Sequence, residues 1–343
     1  MSIVNWGIIG LGNIANKFAS AFAKVKNSKL ISVASLNNER LEDFKIKFNL
    51  DKNFCYDQYE KLLLNDSVDI IYIALPHAFH FEWIIKCINN KKNILTEKPA
   101  TINSKEIDLI NSSLDKTKLF FAEGFMYRFH PQTAELVNIL RQNEIGELLK
   151  MNSYFGVNII EKKSIFGLLK RLKIKKKNRL FKKELGGGSI LDLGCYPSSL
   201  SILIARLKSE DYKNKIILSD INKIIGPTDV DLEAYLKIKF GNGFSSEIGS
   251  SFKKNLGKST TIFGSKGKII IPDSWHCDTS NFSVNGKIYN VKKKYENIFS
   301  YEIESISNSL LNGDIVPKYP AINRKETGLN MDILTRWINS DGK

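Results

Sequence analysis

The sequence predicts an α/β protein in which an N-terminal, doubly wound parallel sheet precedes an α+β domain with a large, mostly antiparallel open sheet. Strand-like and helix-like segments alternate through residues 1–120, as they do around parallel sheets. A glycine-rich turn stands where the first strand meets the first helix. After residue 146 the pattern changes to short strands separated by glycine and asparagine turns. We therefore predict a first domain at residues 1–124 and a second at residues 125–343.

The strands of the first domain are indicated by short, nearly continuous apolar runs, which are typical of strands buried on both faces. These runs are SIVNWGIIG, LISVAS, VDIIYIAL and KNILT. Between the first two, NIANKFASAFAKV has apolar residues at helical spacing. NERLEDFKIKFN and FHFEWIIKCINN also have helical character. The resulting β-α-β-α order predicts that the sheet is parallel.

The strands of the second domain are indicated by hairpin turns. The elements GNG, SKG and NG separate stretches rich in apolar and β-branched residues. They predict a mostly antiparallel sheet with one or two helices packed against it. Residues 299–312 and 322–338 are predicted to be helical again, and the second of these helices is a candidate for packing back on the first domain.

The composition is that of a globular protein in a reducing compartment. Hydrophobic residues make up 43% of the 343 residues, an ordinary share for a protein with a sizeable core. The four cysteines form no C-x-x-C pair, so neither a disulfide framework nor a zinc site is indicated. The chain contains no uncharged apolar run of about 18 residues, and its N-terminus lacks the features of a signal peptide. We expect a cytoplasmic protein.

The net charge of +15 has a local origin. Residues 162–183 hold eleven Lys and Arg and no acid, and the rest of the chain carries 40 basic against 36 acidic residues. We therefore expect no nucleic-acid partner. Three interpretations of this basic segment are open: a solvated loop, a lid that attracts an anionic substrate, or a basic amphipathic stretch that contacts an anionic membrane surface.

The glycine-rich turn predicts a dinucleotide site. Gly10, Gly12, Asn13, Ile14 and Ala15 fit the pattern G-x-G-x-x-G/A between a strand and a helix. The first glycine makes the tight turn, the second lets the backbone approach a pyrophosphate, and the helix N-terminus attracts the anion. The alternative is a glycine turn without a ligand.

The end of the second strand bears on the choice between NADP and NAD. An NAD site usually has an acid there to accept hydrogen bonds from the ribose 2′-hydroxyl, but the strand ends in Ser35-Leu36-Asn37-Asn38. Arg40 is a candidate to reach a 2′-phosphate, so NADP is slightly favoured. The alternative for Asn37 is helix capping.

Four motifs, taken together, resemble one enzyme family. They are the glycine turn, Glu97-Lys98-Pro99 after a buried strand, AEGFMYRFHPQ at 122–132 and GGGSILDLGCYP at 186–197. The sequence resembles the glucose–fructose oxidoreductase/inositol dehydrogenase/MocA family, near the branch that contains dihydrodiol and xylose dehydrogenases and sugar-nucleotide enzymes. The resemblance covers nearly the whole chain except the basic segment.

The resemblance implies a Rossmann domain that binds NADP or NAD, and hydride transfer to or from a hydroxyl or carbonyl carbon of a sugar or sugar nucleotide. It also implies a homodimer or tetramer formed through the C-terminal sheet. If the protein is an enzyme with another substrate, the alternative is a dihydrodiol or free-aldose dehydrogenase. If it is not an enzyme, the alternative is a regulator that senses the cofactor without catalysing a reaction.

The resemblance also assigns roles to individual residues. Lys98 matches the family's catalytic lysine, and Asp192 and Tyr196 match a D-x-x-x-(H/Y) pattern in which Tyr196 is the proton-transfer group. Residues on segments that border the nicotinamide ribose in relatives are Leu75, His77, His80 and Glu97. We predict no metal at the two histidines, because no set of cysteines or carboxylates converges on them in the sequence.

These residue types suit the chemistry. Hydride transfer requires a group that exchanges the hydroxyl proton and a charge that stabilises the developing alkoxide. The ammonium of Lys98 can hydrogen-bond the substrate oxygen and favour the phenolate of Tyr196. The alternative is that Tyr196 is a packing residue and Lys98 acts alone. Arg128 either faces the cofactor or substrate or forms an ordinary ion pair.

Overall fold

The computed structural model describes residues 2–163, 169–171 and 178–341. Its contacts divide the chain into two compact units, Met1–His130 with Lys294–Gly328 and Pro131–Lys293 with Leu329–Lys343. The two-domain boundary at residues 124 and 125 stays a prediction. The centre of the basic segment, residues 164–168 and 172–177, lies outside the described residues, so the three interpretations of that segment remain open.

Sixteen strands occur in the described residues. They are β1 Val4–Ile9, β2 Ser28–Ala34, β3 Cys55–Tyr56, β4 Ile70–Ile73, β5 Asn93–Glu97, β6 Phe121–Gly124, β7 Leu148–Gly156, β8 Glu161–Lys163, β9 Leu169–Arg171, β10 Ile217–Ile225, β11 Asp231–Lys239, β12 Ser245–Ser251, β13 Thr260–Gly264, β14 Gly267–Ile271, β15 Asn281–Val284 and β16 Lys287–Asn290.

Nine α-helices occur in the same described ranges. They are α1 Asn13–Ala21, α2 Asn38–Phe48, α3 Tyr59–Leu63, α4 His80–Asn89, α5 Ser104–Leu114, α6 Pro131–Arg141, α7 Cys195–Lys208, α8 Phe299–Leu311 and α9 Arg324–Asn339. The helices predicted at 299–312 and 322–338 are confirmed to within two residues at each end.

The first unit contains a six-stranded sheet in the order β3-β2-β1-β4-β5-β6. Every adjacent pair in it is parallel, which confirms the predicted doubly wound sheet. The order reverses between β1 and β4, and ligands of such sheets bind outside the carboxyl ends of the strands at this point. The register pairs Ile9 with Ile73 and Ile73 with Thr96, so the segments that follow β1, β4 and β5 leave the sheet side by side.

The second unit contains an eight-stranded sheet in the order β10-β11-β12-β7-β13-β14-β15-β16. All of its pairs are antiparallel except β12 with β7, so the predicted mostly antiparallel sheet is confirmed. The three predicted hairpin turns connect β11 to β12, β13 to β14 and β15 to β16. In the last of them Asn285 and Gly286 both have positive φ, as a two-residue hairpin turn requires.

Helix α7 lies in the core of the second unit. Residues Cys195 to Ala205 are all buried. The longer helical stretch Lys183–Lys208 is long and apolar enough to cross a membrane, but 83% of its apolar window is buried inside the protein. The stretch therefore has the character of a core helix of a globular unit.

Two strands of the first sheet are not indicated by the sequence pattern. β3 has only two residues, too few to show a period. β6 has four residues, and its sequence FAEG ends in a carboxylate and a glycine, which resembles a turn more than a strand. Both lie at the edges of the sheet, where pairing with one neighbour determines the conformation.

Candidate functional site

The turn after β1 has the geometry that close approach of a phosphate requires. Gly10 has a φ of +88°, and a Cβ placed there would lie 2.7 Å from Leu75 Cδ2 and 2.8 Å from the Ala74 carbonyl oxygen. A Cβ placed on Gly12 would meet nothing within 4 Å. Gly12 is the N-cap of α1 and has no side chain with which to cap it. The space beside Gly12 is open in the described part of the chain, so an anion placed there can accept hydrogen bonds from the first amides of α1.

A cavity of about 380 Å³ lies beside this turn. It is lined by Leu11, Gly12, Asn13, Asn16 and Arg40. The N-terminus of a helix and a guanidinium both favour negative charge. The cavity therefore suits the phosphate-bearing part of a nucleotide.

Arg40 is exposed on the first turn of α2. Its backbone amide donates to Asn37 Oδ1 at 2.9 Å, so Asn37 caps the helix. This is the capping role that the sequence offered as an alternative, and a contact of Asn37 with cofactor stays a prediction. The guanidinium is thus carried on a capped helix with its charge next to the cavity.

One buried histidine ties two loops of the ligand edge together. Nδ1 of His80 lies 2.9 Å from the carbonyl oxygen of Pro99, and Nε2 lies 2.8 Å from that of Leu75. Both hydrogen bonds form together only when the ring carries two protons, because each carbonyl needs an N–H donor. His80 therefore connects the loop after β4 to the segment after β5. His77 is also buried, on a short 3₁₀ turn that precedes α4.

The Glu97-Lys98-Pro99 segment stands at the carboxyl end of β5. Glu97 is buried; its Oε1 accepts a hydrogen bond from the Tyr72 hydroxyl and its Oε2 accepts one from the Lys98 amide at 3.2 Å. The Lys98–Pro99 peptide bond is cis. Lys98 itself is half-buried. Its ammonium group is thus carried at the ligand edge of the first sheet by a backbone that Glu97 and His80 hold in place.

A second buried carboxyl, which the sequence analysis missed, lies on β6. Glu123 accepts hydrogen bonds from the Ala100 amide at 2.9 Å and from the Thr327 hydroxyl at 2.8 Å. Burial raises its pKa to about 7, against the lowering effect of these bonds and of nearby Arg128 and Lys98. Its only sequence signal was a carboxylate in the short AEG stretch before the MYRFHPQ motif.

Arg128 lies in the interior of the first unit. Its Nη2 donates to Glu326 at 2.8 Å and its Nε donates to the Pro320 carbonyl at 2.7 Å, with no exposed side-chain surface. This is the ion pair that the sequence offered as an alternative. A role of Arg128 at the cofactor stays a prediction.

In the second unit, the GGGSILDLGCYP motif forms an unusual helix start. Residues Ile190–Gly194 form a π-helical turn that runs directly into α7. Pro197 is the third residue of α7 and follows the π-helical turn directly; the wider π-helical turn makes room for a proline ring and does not depend on the backbone N–H that proline lacks. This resolves how a proline follows Tyr196 without breaking a helix.

Asp231 anchors that turn from the neighbouring strand β11. Its Oδ2 accepts from the Ser189 hydroxyl and from the Ile190 amide, both at 2.7 Å. Gly188 has a φ of +112°, and a Cβ placed there would lie 2.3 Å from Asp231 Oδ1. The last glycine of the triplet is thus required by the carboxylate that holds the turn. Burial raises the pKa of Asp231, although these hydrogen bonds oppose the shift.

Asp192 and Tyr196 are carried by this anchored segment. Asp192 Oδ1 accepts from Arg179 Nη2 at 3.2 Å. Tyr196 is buried among aromatic rings, with centroids 5.4 Å from Phe155 and 5.7 Å from Trp275. Arg179 belongs to the described end of the basic segment, so one of its cations contacts a predicted catalytic residue.

Comparison with protein families identifies the chain. Residues 4–125 match the model described as an oxidoreductase family with an NAD-binding Rossmann fold. Residues 133–270 match the GFO/IDH/MocA C-terminal domain. The chain belongs to the GFO/IDH/MocA family. The resemblance that the motifs indicated is confirmed, and the protein is an NAD(P)-binding oxidoreductase that acts on CH–OH groups.

Curated GFO/IDH/MocA relatives align over most of their length. A trans-1,2-dihydrobenzene-1,2-diol dehydrogenase from Xenopus tropicalis is 28% identical over 90% of this chain and 89% of its own. A dTDP-3,4-didehydro-2,6-dideoxy-alpha-D-glucose 3-reductase from Saccharopolyspora spinosa is 24% identical over 78% of this chain and 74% of its own. A D-xylose 1-dehydrogenase (NADP(+)) from Haloferax volcanii is 22% identical over 94% and 92%.

Solved structures share the fold. An aldose-aldose oxidoreductase from Caulobacter crescentus has a TM-score of 0.82 at 18% identity, covering 98% of this chain and 96% of its own. A 3-ketoreductase from Actinomadura kijaniata, solved with NADP and TDP-benzene, has a TM-score of 0.79 at 18% identity, covering 98% and 97%.

Among the residues that the structure describes, one group of side chains has the spacing of metal ligands. Ligand atoms of Asp273, His276 and Asp278 lie within 4.8 Å of one another. Lys258 Nζ already contacts Asp273 at 3.1 Å and Asp278 at 3.4 Å. The ammonium group of Lys258 supplies the positive charge that a bound metal ion would otherwise supply.

Replacing Asp231 tests the anchoring of the π-helical turn. We expect Asp231→Ala to lower the free energy of unfolding by about 1–3 kcal/mol, since two buried donors lose their acceptor. We expect kcat to fall about tenfold or more, because Asp192 and Tyr196 lose their support. Asp231→Asn keeps an acceptor oxygen and is the matched control. If Asp231→Ala had the stability and turnover of the wild type, the hydrogen bonds of Asp231 would not position Asp192 and Tyr196.

Proposed function

We propose that the protein is an NADP-preferring oxidoreductase whose substrate is a sugar or sugar nucleotide. The observation that carries the proposal is the open N-terminus of α1, which adjoins the cavity lined by Arg40 at the same sheet edge as Lys98. An anion site and an ammonium at one edge of a parallel sheet fit a dinucleotide whose reactive ring lies near the ammonium.

A nicotinamide dinucleotide bound there supplies the hydride donor or acceptor. Lys98 donates a hydrogen bond to the substrate oxygen and stabilises negative charge on it as the carbon is oxidised or reduced. Tyr196 takes up or releases the hydroxyl proton, and Asp192 is the third member of this set. Gly10, Gly12, Asn13 and Ile14 hold the phosphates, while Leu75, His77, His80 and Glu97 form the border of the nicotinamide ribose.

The preference for NADP rests on charge at the end of β2. The strand ends without an acid, and Arg40 is the cation that lines the cavity. A guanidinium matches a phosphate dianion better than it matches a neutral ribose hydroxyl. The NADP(+)-dependent xylose dehydrogenase and the 3-ketoreductase solved with NADP support this preference.

The aromatic surroundings of Tyr196 support a second candidate substrate. Phe155 and Trp275 are buried against its ring, edge-on and tilted respectively, and make the surroundings of Tyr196 apolar. Apolar surroundings suit the C–H face of a sugar and equally suit a cyclic dihydrodiol, the substrate in the name of the relative from Xenopus tropicalis. A trans-dihydrodiol or aldose 1-dehydrogenase is therefore the second proposed function.

Three further expectations belong to the proposal. We expect a homodimer or tetramer formed through the eight-stranded sheet, because Leu149, Ile217, Ile224 and Ile225 expose apolar side chains on or near its strands. We expect cytoplasmic localisation. The basic segment at 162–183 is assigned to an anionic substrate rather than to a membrane surface, since its described end places Arg179 against Asp192.

Lys98→Met tests the catalytic role. The variant keeps an unbranched side chain and removes the charge, so we expect kcat to fall about 10²- to 10³-fold while NADP still binds. Turnover of a panel of sugars, sugar nucleotides and dihydrodiols would be measured beside cofactor fluorescence. Lys105→Met, at an exposed position on α5, is the control. Undiminished turnover in Lys98→Met would contradict the assignment of Lys98.

Arg40→Gln tests the cofactor preference. Losing a charge-assisted hydrogen bond to the 2′-phosphate should raise the Kd for NADP about 10- to 100-fold and change the Kd for NAD by less than about threefold. Both constants would be measured by calorimetric titration, with exposed Lys52→Gln as the control. An equal change in the Kd values for NADP and NAD would show that Arg40 does not bind the 2′-phosphate.

A further inference from the structure

One buried carboxyl of the first unit has no role in the function proposed above. Glu302 lies in the first turn of α8 and is 1% exposed. Its Oε1 has no hydrogen-bond partner among the residues that the structure describes. An ionised carboxylate in such a place would be strongly destabilising, because its lost hydration is not replaced. The position therefore needs a physical explanation.

Glu302 reaches the ends of strands β5 and β6. A Cβ placed on Gly124 would lie 3.6 Å from Glu302 Oε1, 3.7 Å from the Cα of Glu97 and 3.1 Å from the Thr96 carbonyl oxygen. The carboxyl of Glu302 and the backbone of Glu97 thus flank the same point. The distances to Glu302 and Glu97 are those of ordinary van der Waals contact, and only the Thr96 carbonyl oxygen would be crowded. Glu302 therefore lies near Glu97, the residue that precedes Lys98.

The two neighbouring carboxyls differ in their hydrogen-bond donors. Glu97 accepts bonds from the Tyr72 hydroxyl and the Lys98 amide, and both bonds favour its ionised form. Burial raises the pKa of Glu302 well above its ordinary value, and the negative charge of Glu97 raises it further. The hydrogen bonds to Glu97 and the burial of Glu302 thus both favour a pair in which Glu302 holds the proton.

The other charged groups nearby are engaged elsewhere. On β6, Glu123 accepts bonds from the Ala100 amide and the Thr327 hydroxyl. After β6, Arg128 is paired with Glu326. Lys98 follows Glu97 directly in the chain, and His80 contacts the Pro99 carbonyl oxygen from the side of α4. No ion pair in the described structure involves Glu302 and any of these groups.

We propose that Glu302 is a positioning residue that remains a neutral carboxylic acid and donates a hydrogen bond to the carboxylate of Glu97. The bond fixes Glu97, which in turn holds the Lys98 amide. The pair of carboxyls near Lys98 then carries one negative charge, whereas two ionised carboxylates would repel each other. The role in turnover rests on the proposed function of Lys98, but the protonation of Glu302 does not.

The pH dependence of stability tests the proton directly. A carboxyl that is protonated in the folded chain and ionised in the unfolded chain loses its stabilising contribution as pH rises above about 4.3. Glu302→Gln removes this loss. We expect the unfolding midpoint of Glu302→Gln, relative to wild type, to rise steadily between pH 5 and pH 8, by about a few °C over that range. Glu123 is present in wild type and in Glu302→Gln, so its contribution cancels in the difference between the two unfolding midpoints.

Glu304→Gln is the matched control. Glu304 lies two residues further along α8 and is paired with Lys294 and Tyr295 at the surface, so its variant should show no such rise. Infrared difference spectra of wild type minus Glu302→Gln at pH 7 should contain the C=O stretching band of a protonated carboxylic acid. A midpoint difference that is flat or falls with pH, together with no such band, would overturn the proposal.

Kinetics test the positioning role. We expect Glu302→Ala to lower kcat about tenfold or more and Glu302→Gln to restore most of that loss, because the amide can still donate to Glu97. Equal loss in both variants would refute positioning through a donated hydrogen bond. If wild type itself turned over no substrate, the proposed function would fail, whereas the stability and infrared measurements would still decide the state of Glu302.

Discussion

The site depends on one buried imidazole and the two carbonyl oxygens that it joins. His80 bridges Leu75 and Pro99, and Leu75 in turn touches the space that a side chain on Gly10 would need. The loops after β1, β4 and β5 are therefore fixed relative to one another. Parallel pairing brings them to one edge, but pairing alone does not set the distance between loops. The contacts through His80 and Leu75 set it.

The first unit also contains three buried carboxyl groups near the segment that carries Lys98. Glu97, Glu123 and Glu302 are all buried near the ends of β5 and β6. Three ionised carboxylates in so small a region would repel one another, and each would lose hydration. Burial raises the pKa of Glu123 and of Glu302, while Glu97 retains donors for its charge. Lys98 thus follows one carboxyl that has donors for its charge, and burial favours the neutral form of the other two.

Much of this architecture could be predicted from local sequence. The glycine turn, the buried strand before Lys98 and the two last helices are each encoded within about 15 residues, so period and turn chemistry suffice to locate them. The motif order then led to the family. By contrast, Asp231 is 39 residues from Asp192, and Glu302 is more than 170 residues from Gly124. Their roles depend on tertiary contacts that no local pattern records.

The same limit applies to the partners of Arg128 and Asn37 within the chain, while their contacts with a cofactor stay predictions. Arg128 and Asn37 are residue types that suit a phosphate or an amide, and the sequence could not exclude partners within the chain. Asn37 caps α2 because it stands just before the helix. Arg128 is paired with Glu326, which is distant in sequence and close only after folding. Residue type predicts chemistry, whereas the partner is determined by the fold.

The central claim is that the carboxyl edge of the first sheet holds the dinucleotide with Lys98 beside its reactive ring. A crystal structure of the protein with bound NADP tests this most directly. We predict pyrophosphate density on the first amides of α1 and the nicotinamide next to the Lys98 ammonium. Density for the dinucleotide at another place, or a Lys98 side chain directed away from the ring into solvent, would contradict the account.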